Sequence, residues 1–298
     1  MESYQSKGFK LLLRLVGRKR FWMKSGEALR KGIAKRRLLN HEPPNHFYKK
    51  LNIEKKCMND YNYYEIRPTH VSSSMHLFYL HGGGYVHKIT SFHWKFLRRL
   101  VDALQCTITI PLYPLAPEHT YKHTFEFVYP LYINQVQKMA NDKDIVIMGD
   151  SAGGGLALAL AHYLKEMNVP QPGHIILISP WLDISLNNPE IADIEPYDFF
   201  LTKSGLIEVG RLYAGGDDPL SHLLSPMYGE LQGLSDITLF MGSHDILVAD
   251  SRKLMVMAEE QGVLIDYHEY PNMMHDFPLF MFPESKMAMD VIVNKLRE

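Results

Sequence analysis

Apolar and polar positions along the chain fall into two rhythms. Short β-branched or apolar runs recur at 75–80 (MHLFYL), 106–112 (CTITIPL), 144–149 (DIVIMG), 174–179 (HIILIS), 236–242 (DITLFMG) and 264–270 (LIDYHEY). Runs of this length and composition predict strands. Between most of them the spacing becomes helical, at 91–104, 124–140, 151–167, 203–214, 250–261 and 284–297. Such alternation predicts β-α units: an α/β fold with a mostly parallel central sheet and helices on both faces. Residues 181–202, rich in Pro, Asn and Asp, interrupt the rhythm and predict an inserted loop or cap element.

The first 56 residues read differently. FKLLLRLVGRKRFWMKSGEALRKGIAKRRLL (9–39) has apolar positions at roughly helical spacing but is broken by Arg14, too short and too charged to span a membrane. A secretory leader would place its charges before the apolar run and a small-residue cleavage site after it, and this stretch does neither. Residues 1–56 hold sixteen Lys/Arg against four Asp/Glu, leaving sixteen against twenty-nine for the remainder. We expect a basic helical cap here, with peripheral contact with an anionic membrane as the lesser alternative.

Composition narrows the classes. The 298 residues are 46% apolar and 22% charged with a net charge of −1, which fits a globular chain with a sizeable core and offers no footprint for nucleic acid. The two cysteines, Cys57 and Cys106, form no CxxC pair, so a reducing compartment and a cytoplasmic location are expected, with Cys106 a buried strand residue.

In a sheet of this kind ligands sit beyond the carboxyl ends of the strands. Four groups follow strands directly: HGGGY (81–85), GDSAGGG (149–155), GSHDILVAD (242–250) and PNMMHDF (271–277). The glycines do not make a phosphate cradle. GxxxxGK[ST] needs a lysine that neither cluster has, and GxGxxG fails because Ser151 stands where its second glycine belongs. Gly149, Ser151 and Gly153 instead meet Gly-x-Ser-x-Gly between a strand and a helix, the sharp turn that lifts a nucleophilic hydroxyl to the top of a sheet.

A serine needs a base, and the base an orienting acid, in the chain order Ser, Asp/Glu, His. Asp245 follows the strand at 236–242 and His275 follows the strand at 264–270, so both fit. Asp250 is expected to cap the helix that starts near it, Asp276 to diverge from its neighbour His275, and His268 to pack within a strand. Backbone N–H groups in HGGGY and that of Ala152 are candidate donors to the oxyanion. His119 and His123 have i, i+4 spacing but lack a third ligand, so no metal and no cofactor is expected.

Together HGGGY, YPLAPEH (113–119), GDSAGGG, SPWLD (179–183), GSHDILVADS (242–251) and MHDF (274–277) resemble the hormone-sensitive-lipase family of α/β-hydrolases, the bacterial family IV esterases and lipases, from about residue 60 onward. That resemblance implies a single domain over 1–298 with about eight strands, capped by 1–56 and an insertion near 181–215. It implies Ser151 as nucleophile, Asp245 as acid, His275 as base, and Gly83, Gly84 and Ala152 as oxyanion donors. Tyr85 and Trp181 are candidates to shape the pocket, with a place in the core as the equal alternative. The chain departs from the family pattern in having Pro114 where arginine is usual in YPLAPE, and Tyr85 for Phe or Trp.

The expected function is a serine carboxylesterase acting on small or short-to-medium acyl esters, with the acid limb of its rate profile near neutral pH. An amide, carbamate or formamide hydrolase on the same fold, a lipase at a membrane surface and a non-catalytic binding relative are the alternatives. The natural substrate and the acyl length stay open, and so does the oligomeric state, with which a homodimer is compatible.

Overall fold

The computed structural model describes residues 2–70 and 72–297; Met1, Val71 and Glu298, which bear on the segment limits above, lie outside the described residues. A hairpin opens the sheet: β1 (Leu51–Met58) and β2 (Tyr61–Pro68) are joined by Asn59 and Asp60, both at positive φ (49° and 65°). Asn and Asp tolerate that conformation better than other side-chain-bearing residues, so two residues suffice to reverse the chain. The six apolar runs follow as β3 (His76–Leu80), β4 (Thr107–Pro111), β5 (Ile145–Asp150), β6 (His174–Ile178), β7 (Ile237–Gly242) and β8 (Ile265–Tyr270). Their order is β1-β2-β4-β3-β5-β6-β7-β8, antiparallel at β1-β2 and β2-β4 and parallel elsewhere. The fold is thus the eight-stranded, mostly parallel α/β sheet expected.

The hairpin corrects one boundary, because residues 51–56 belong to β1 and not to a helical lobe. β1 is an edge strand with mostly solvated side chains, charged at Glu54, Lys55 and Lys56, a composition that discourages pairing with another chain.

Alternation within the strands sorts two cores. In β3, Phe78 and Leu80 face the layer of α4 (Tyr121–Val136), α5 (Ala152–Glu166) and α8 (Val248–Glu260), while Leu77 and Tyr79 face α3 (Ser91–Leu104) and α9 (Pro283–Lys295). Two helix starts differ from expectation. α4 begins three residues early because Thr120 and His123 cap it reciprocally, His123 Nδ1 accepting the Thr120 N–H at 3.2 Å, so this histidine has a structural use. α8 begins before Asp250, which is therefore inside the first turn and not the cap; the turn into α8 is held by Asp245, whose Oδ1 accepts the Leu247 N–H at 3.0 Å.

The basic N-terminal stretch forms α1 (Tyr4–Val16) and α2 (Gly26–Arg37). α1 is tied to the start of α9 by Ser3, whose N–H and hydroxyl donate to Glu284 at 2.6 and 2.8 Å. Leu29 and Ile33 of α2 are buried with Phe21 and Trp22, whereas Leu11, Leu12, Leu15 and Val16 of α1 are exposed. Residues 181–202 are irregular as their composition predicts apart from short turns, among them the single-turn α6 (Ile191–Ile194), and the helix expected at 203–214 is α7 (Lys203–Ala214). The two segments meet: the Thr202 hydroxyl donates to the Trp22 carbonyl at 2.5 Å, and Lys19 Nζ donates to the carbonyls of Glu195 and Asp198 at 2.7 and 2.9 Å. Among the described residues no helix is long and apolar enough to cross a membrane.

Candidate active site

Ser151 sits between β5 and α5 with φ 53° and ψ −122°. A residue with a Cβ is strained there, at a cost of about 1–3 kcal/mol, and the surroundings must hold it. They do so by backbone bonds: its N–H donates to Ile178 O at 2.8 Å, and its carbonyl accepts from Trp181 N at 2.9 Å and Gly155 N at 3.1 Å. The turn also needs bare neighbours. A Cβ on Gly149 would overlap the Gly153 carbonyl, and one on Gly153 would overlap the carbonyl of Leu80 in β3.

The strand ends bring the predicted acid and base to this serine. His275, in the loop after β8, places Nε2 2.9 Å from Ser151 Oγ and Nδ1 2.7 Å from Asp245 Oδ2. Asp245, six residues before α8's first full turn is complete and fully buried, keeps its other oxygen on the Leu247 N–H, so both carboxylate oxygens are engaged. Gly83 and Gly84 line the same pocket as Ser151 and His275, with φ of 127° and 62° that favour glycine. Among the described residues the N–H groups of Gly83, Gly84 and Ala152 donate to no protein acceptor. A Cβ on Gly84 would press on the Trp22 ring, so the N-terminal segment lies directly over this turn.

Asp276 departs from expectation. Its side chain does not diverge from His275: with φ 54° the backbone turns back, its N–H donates to Ser179 Oγ at 3.0 Å, and Oδ2 comes within 3.2 Å of His275 Nε2. It still does not stand where an orienting acid would, because it meets the nitrogen that faces Ser151 and leaves Nδ1 to Asp245. Burial opposes charge on His275, but Asp245 and Asp276 together raise its pKa well above the ordinary 6.5. Burial in turn pushes Asp276 up to about 6, with His275 pulling the other way. The acid limb therefore belongs above the neutral value expected from an ordinary histidine.

Tyr85 and Trp181 do not line the pocket. Both are buried, Tyr85 stacked on Tyr213 at 3.7 Å and beside Trp181 at 5.6 Å, and a Cβ on Gly155 would meet the Trp181 carbonyl. Their aromatic surface packs the N-terminus of α5, a core task that sequence adjacency to the motifs does not distinguish from lining. His268 is packed within β8 as expected, stacked on Phe240 at 4.9 Å. Cys106 is buried, and burial pushes its thiol up to about 12.

Some residues of the site were given no role by their motif or lie outside every motif. Asp150, within GDSAGGG beside Ser151 and fully buried, accepts from the Tyr79 hydroxyl and lies 3.0 Å from His93 Nε2. Because His93 Nδ1 accepts the Thr90 N–H at 3.0 Å, Nε2 is the nitrogen that carries the proton to Asp150. Asp198, from the 181–202 stretch, accepts from the N–H groups of Phe200, Leu201 and Ile246 at 2.6, 2.8 and 3.0 Å, fastening that stretch to the Asp245 loop. Burial, then the Asp245 charge, pushes Asp198 up to about 6. The pocket, about 140 Å³, is lined on its other side by Arg18, Trp22, Arg36 and Phe200. Among the described residues no group of three or more His, Cys, Asp or Glu side chains could hold a metal ion.

A serine, a histidine and a carboxylate in this relay, beside free N–H groups, can transfer an acyl group. Comparison with known proteins agrees. Residues 77–279 match the alpha/beta hydrolase fold family. Over 221 residues the chain is 31% identical to an esterase of Acinetobacter venetianus, covering 73% of each. Over 217 residues it is 29% identical to an acetyl-hydrolase of Streptomyces hygroscopicus, covering 72% of this chain and 73% of that one. It superposes on the crystal structure of EstE7, a hormone-sensitive-lipase homologue from a metagenome library, with a TM-score of 0.84 at 25% identity, covering 100% of this chain and 98% of the other.

Proposed function

The chain belongs to the alpha/beta hydrolase fold family and is a carboxylic ester hydrolase, and from that premise we propose that Ser151, His275 and Asp245 hydrolyse small or short-to-medium acyl esters. The observation that carries this reading is the relay itself, 2.9 Å from Ser151 Oγ to His275 Nε2 and 2.7 Å from Nδ1 to Asp245. Ser151 Oγ attacks the ester carbonyl as His275 Nε2 takes its proton, and Asp245 holds the imidazole in the tautomer with hydrogen on Nδ1. The oxyanion is met by the N–H groups of Gly83, Gly84 and Ala152. Each such donor is worth about 3 kcal/mol in the transition state. His275 then protonates the leaving alcohol, the acyl-enzyme forms, and the same histidine activates water to release the acid. Every step uses groups of the chain alone.

Residues before β1 and the stretch 181–215 act as the cap over this chemistry, a reading supported by the bonds from Thr202 and Lys19 that join them. The small pocket favours small acyl groups, and the free thiols Cys57 and Cys106 favour a cytoplasmic setting. Initial rates on p-nitrophenyl esters from acetate to palmitate test the reading, with Ser151→Ala as control. Rates should peak at short chains, and Ser151→Ala should lower turnover on the order of 10⁵-fold with the fold intact. Retention of more than about one hundredth of wild-type turnover would remove Ser151 from the mechanism.

A further inference from the structure

The pocket wall facing the strand ends is cationic, and among the described residues the lining carboxylate whose charge acts on it is Asp276, opposite Arg18. Arg18, Arg36 and Lys88 line the pocket, against Asp276 as its one lining carboxylate. Arg18 lays its guanidinium 5.0 Å from the Phe200 ring and buries an Nε that has no hydrogen-bond partner among the described residues. Arg36 stacks on Phe21 at 3.8 Å, and among the described residues its side chain has a single polar contact, Nη1 to His87 Nε2 at 3.4 Å. Its neighbour Arg37 shows what a structural arginine does in the same helix: it donates to the carbonyls of Val86 and Ala116 and pairs with Glu118.

Two guanidinium groups half-withdrawn from water near one another repel, and each keeps N–H donors in a planar fork that suits a carboxylate. Burial lowers the pKa of Arg36 to about 10, with the Arg18 charge adding to the effect, so an anion bound between them would relieve a tension already present. The aromatic faces of Phe21 and Phe200 fix both forks in place without supplying an acceptor.

We propose that Arg18 and Arg36 form a subsite for a carboxylate carried by the ester substrate, so that the preferred substrates are anionic esters. The carboxylate could be on either limb: a hemiester of a dicarboxylic acid bears it on the acyl side, an ester of a hydroxy acid on the alcohol side. This rests on the esterase reading above and adds the substrate class to it.

Four esters in two pairs test it on wild-type protein at a pH where the carboxyl groups are ionised. Monoethyl succinate against ethyl valerate, followed by pH-stat, places the charge on the acyl limb; 4-carboxyphenyl acetate against phenyl acetate places it on the alcohol. In at least one pair the anionic member should exceed its neutral partner in kcat/KM by about tenfold or more. Arg18→Gln and Arg36→Gln should each shrink that ratio, measured on the fraction of enzyme titrated by an organophosphate at Ser151. Equal or better turnover of the neutral member in both pairs overturns the subsite, as does a ratio that survives in both variants. If a variant fails to fold, the wild-type pairs still decide. No turnover of any of the four esters would overturn the esterase reading together with the subsite, which separates the two failures.

Discussion

On the pocket wall built from strand ends, the addition of one carbon is already too much: a Cβ on Gly149 or Gly153 would overlap a backbone carbonyl, and Ser151 is held at φ 53° by three backbone bonds. On the facing wall the contacts are made by the far ends of flexible side chains, the rings of Trp22 and Phe200 and the forks of Arg18 and Arg36. The first arrangement admits few residues at each position, so it must be written as a motif. The second can be met by many sequences, and it is where a family can change what it binds without touching how it reacts.

The largest effect expected on the strand-end wall, after loss of the nucleophile, is that of Asp245→Asn. The Asn oxygen can still accept the Leu247 N–H, so the turn into α8 should survive with a melting temperature close to wild type. What is lost is the anion that fixes hydrogen on His275 Nδ1, and kcat on p-nitrophenyl acetate should fall about 10⁴-fold. A fall of less than about tenfold would mean that Asp276 can stand in for Asp245, and the geometric distinction between them would be wrong.

Asp276→Asn should act on pH and only modestly on rate. His275 serves as a base only when neutral, and the two carboxylates beside it favour its charged form, so the acid limb of kcat/KM lies above 6.5. Removing the Asp276 charge lowers the pKa of His275, and the limb should move toward acid by about one pH unit. A limb that stays in place, or moves up, would show that Asp276 is protonated throughout and contributes no charge to the site.

How much of this was legible follows the same division. Six of the eight strands, the sharp turn at Ser151 and its meeting with His275 and Asp245 could be read because buried parallel strands are continuous apolar runs and because such a turn tolerates few residues. The hairpin of β1 and β2 was not, since an edge strand with solvated faces loses its alternation and its turn is Asn-Asp with no glycine. Tyr85 and Trp181 could not be assigned between pocket and core because a motif neighbour can point into the core as readily as into the pocket. Asp276 was misjudged because divergence of adjacent side chains assumes an extended backbone, and φ 54° removes that assumption. Arg18, Arg36 and Asp198 had no signal at all: their roles depend on which distant segment they meet.

The smallest effect should come from Arg37, which belongs to the helical wall but faces away from the pocket. It fastens the end of α2 to two loops at once, donating from Nε to Val86 O at 2.8 Å and onward to Ala116 O and Glu118. Its side chain is only 16% exposed, so the carbonyls left behind would be poorly rewatered in Arg37→Gln, and each charge-assisted bond is worth about 1.5–3 kcal/mol in favourable cases. Glu118 is 60% exposed and can return to solvent, which leaves a net loss of about 1–2 kcal/mol and a melting temperature lower by a few degrees. Turnover of a neutral acetate ester should change far less than in Asp245→Asn, because Val86 lies beyond Gly83 and Gly84, the glycines proposed to meet the oxyanion. A loss of kcat comparable to that of Asp245→Asn, at temperatures where the variant is fully folded, would show that the helical wall sets the geometry of the oxyanion turn, and the division between a wall that reacts and a wall that selects would fail.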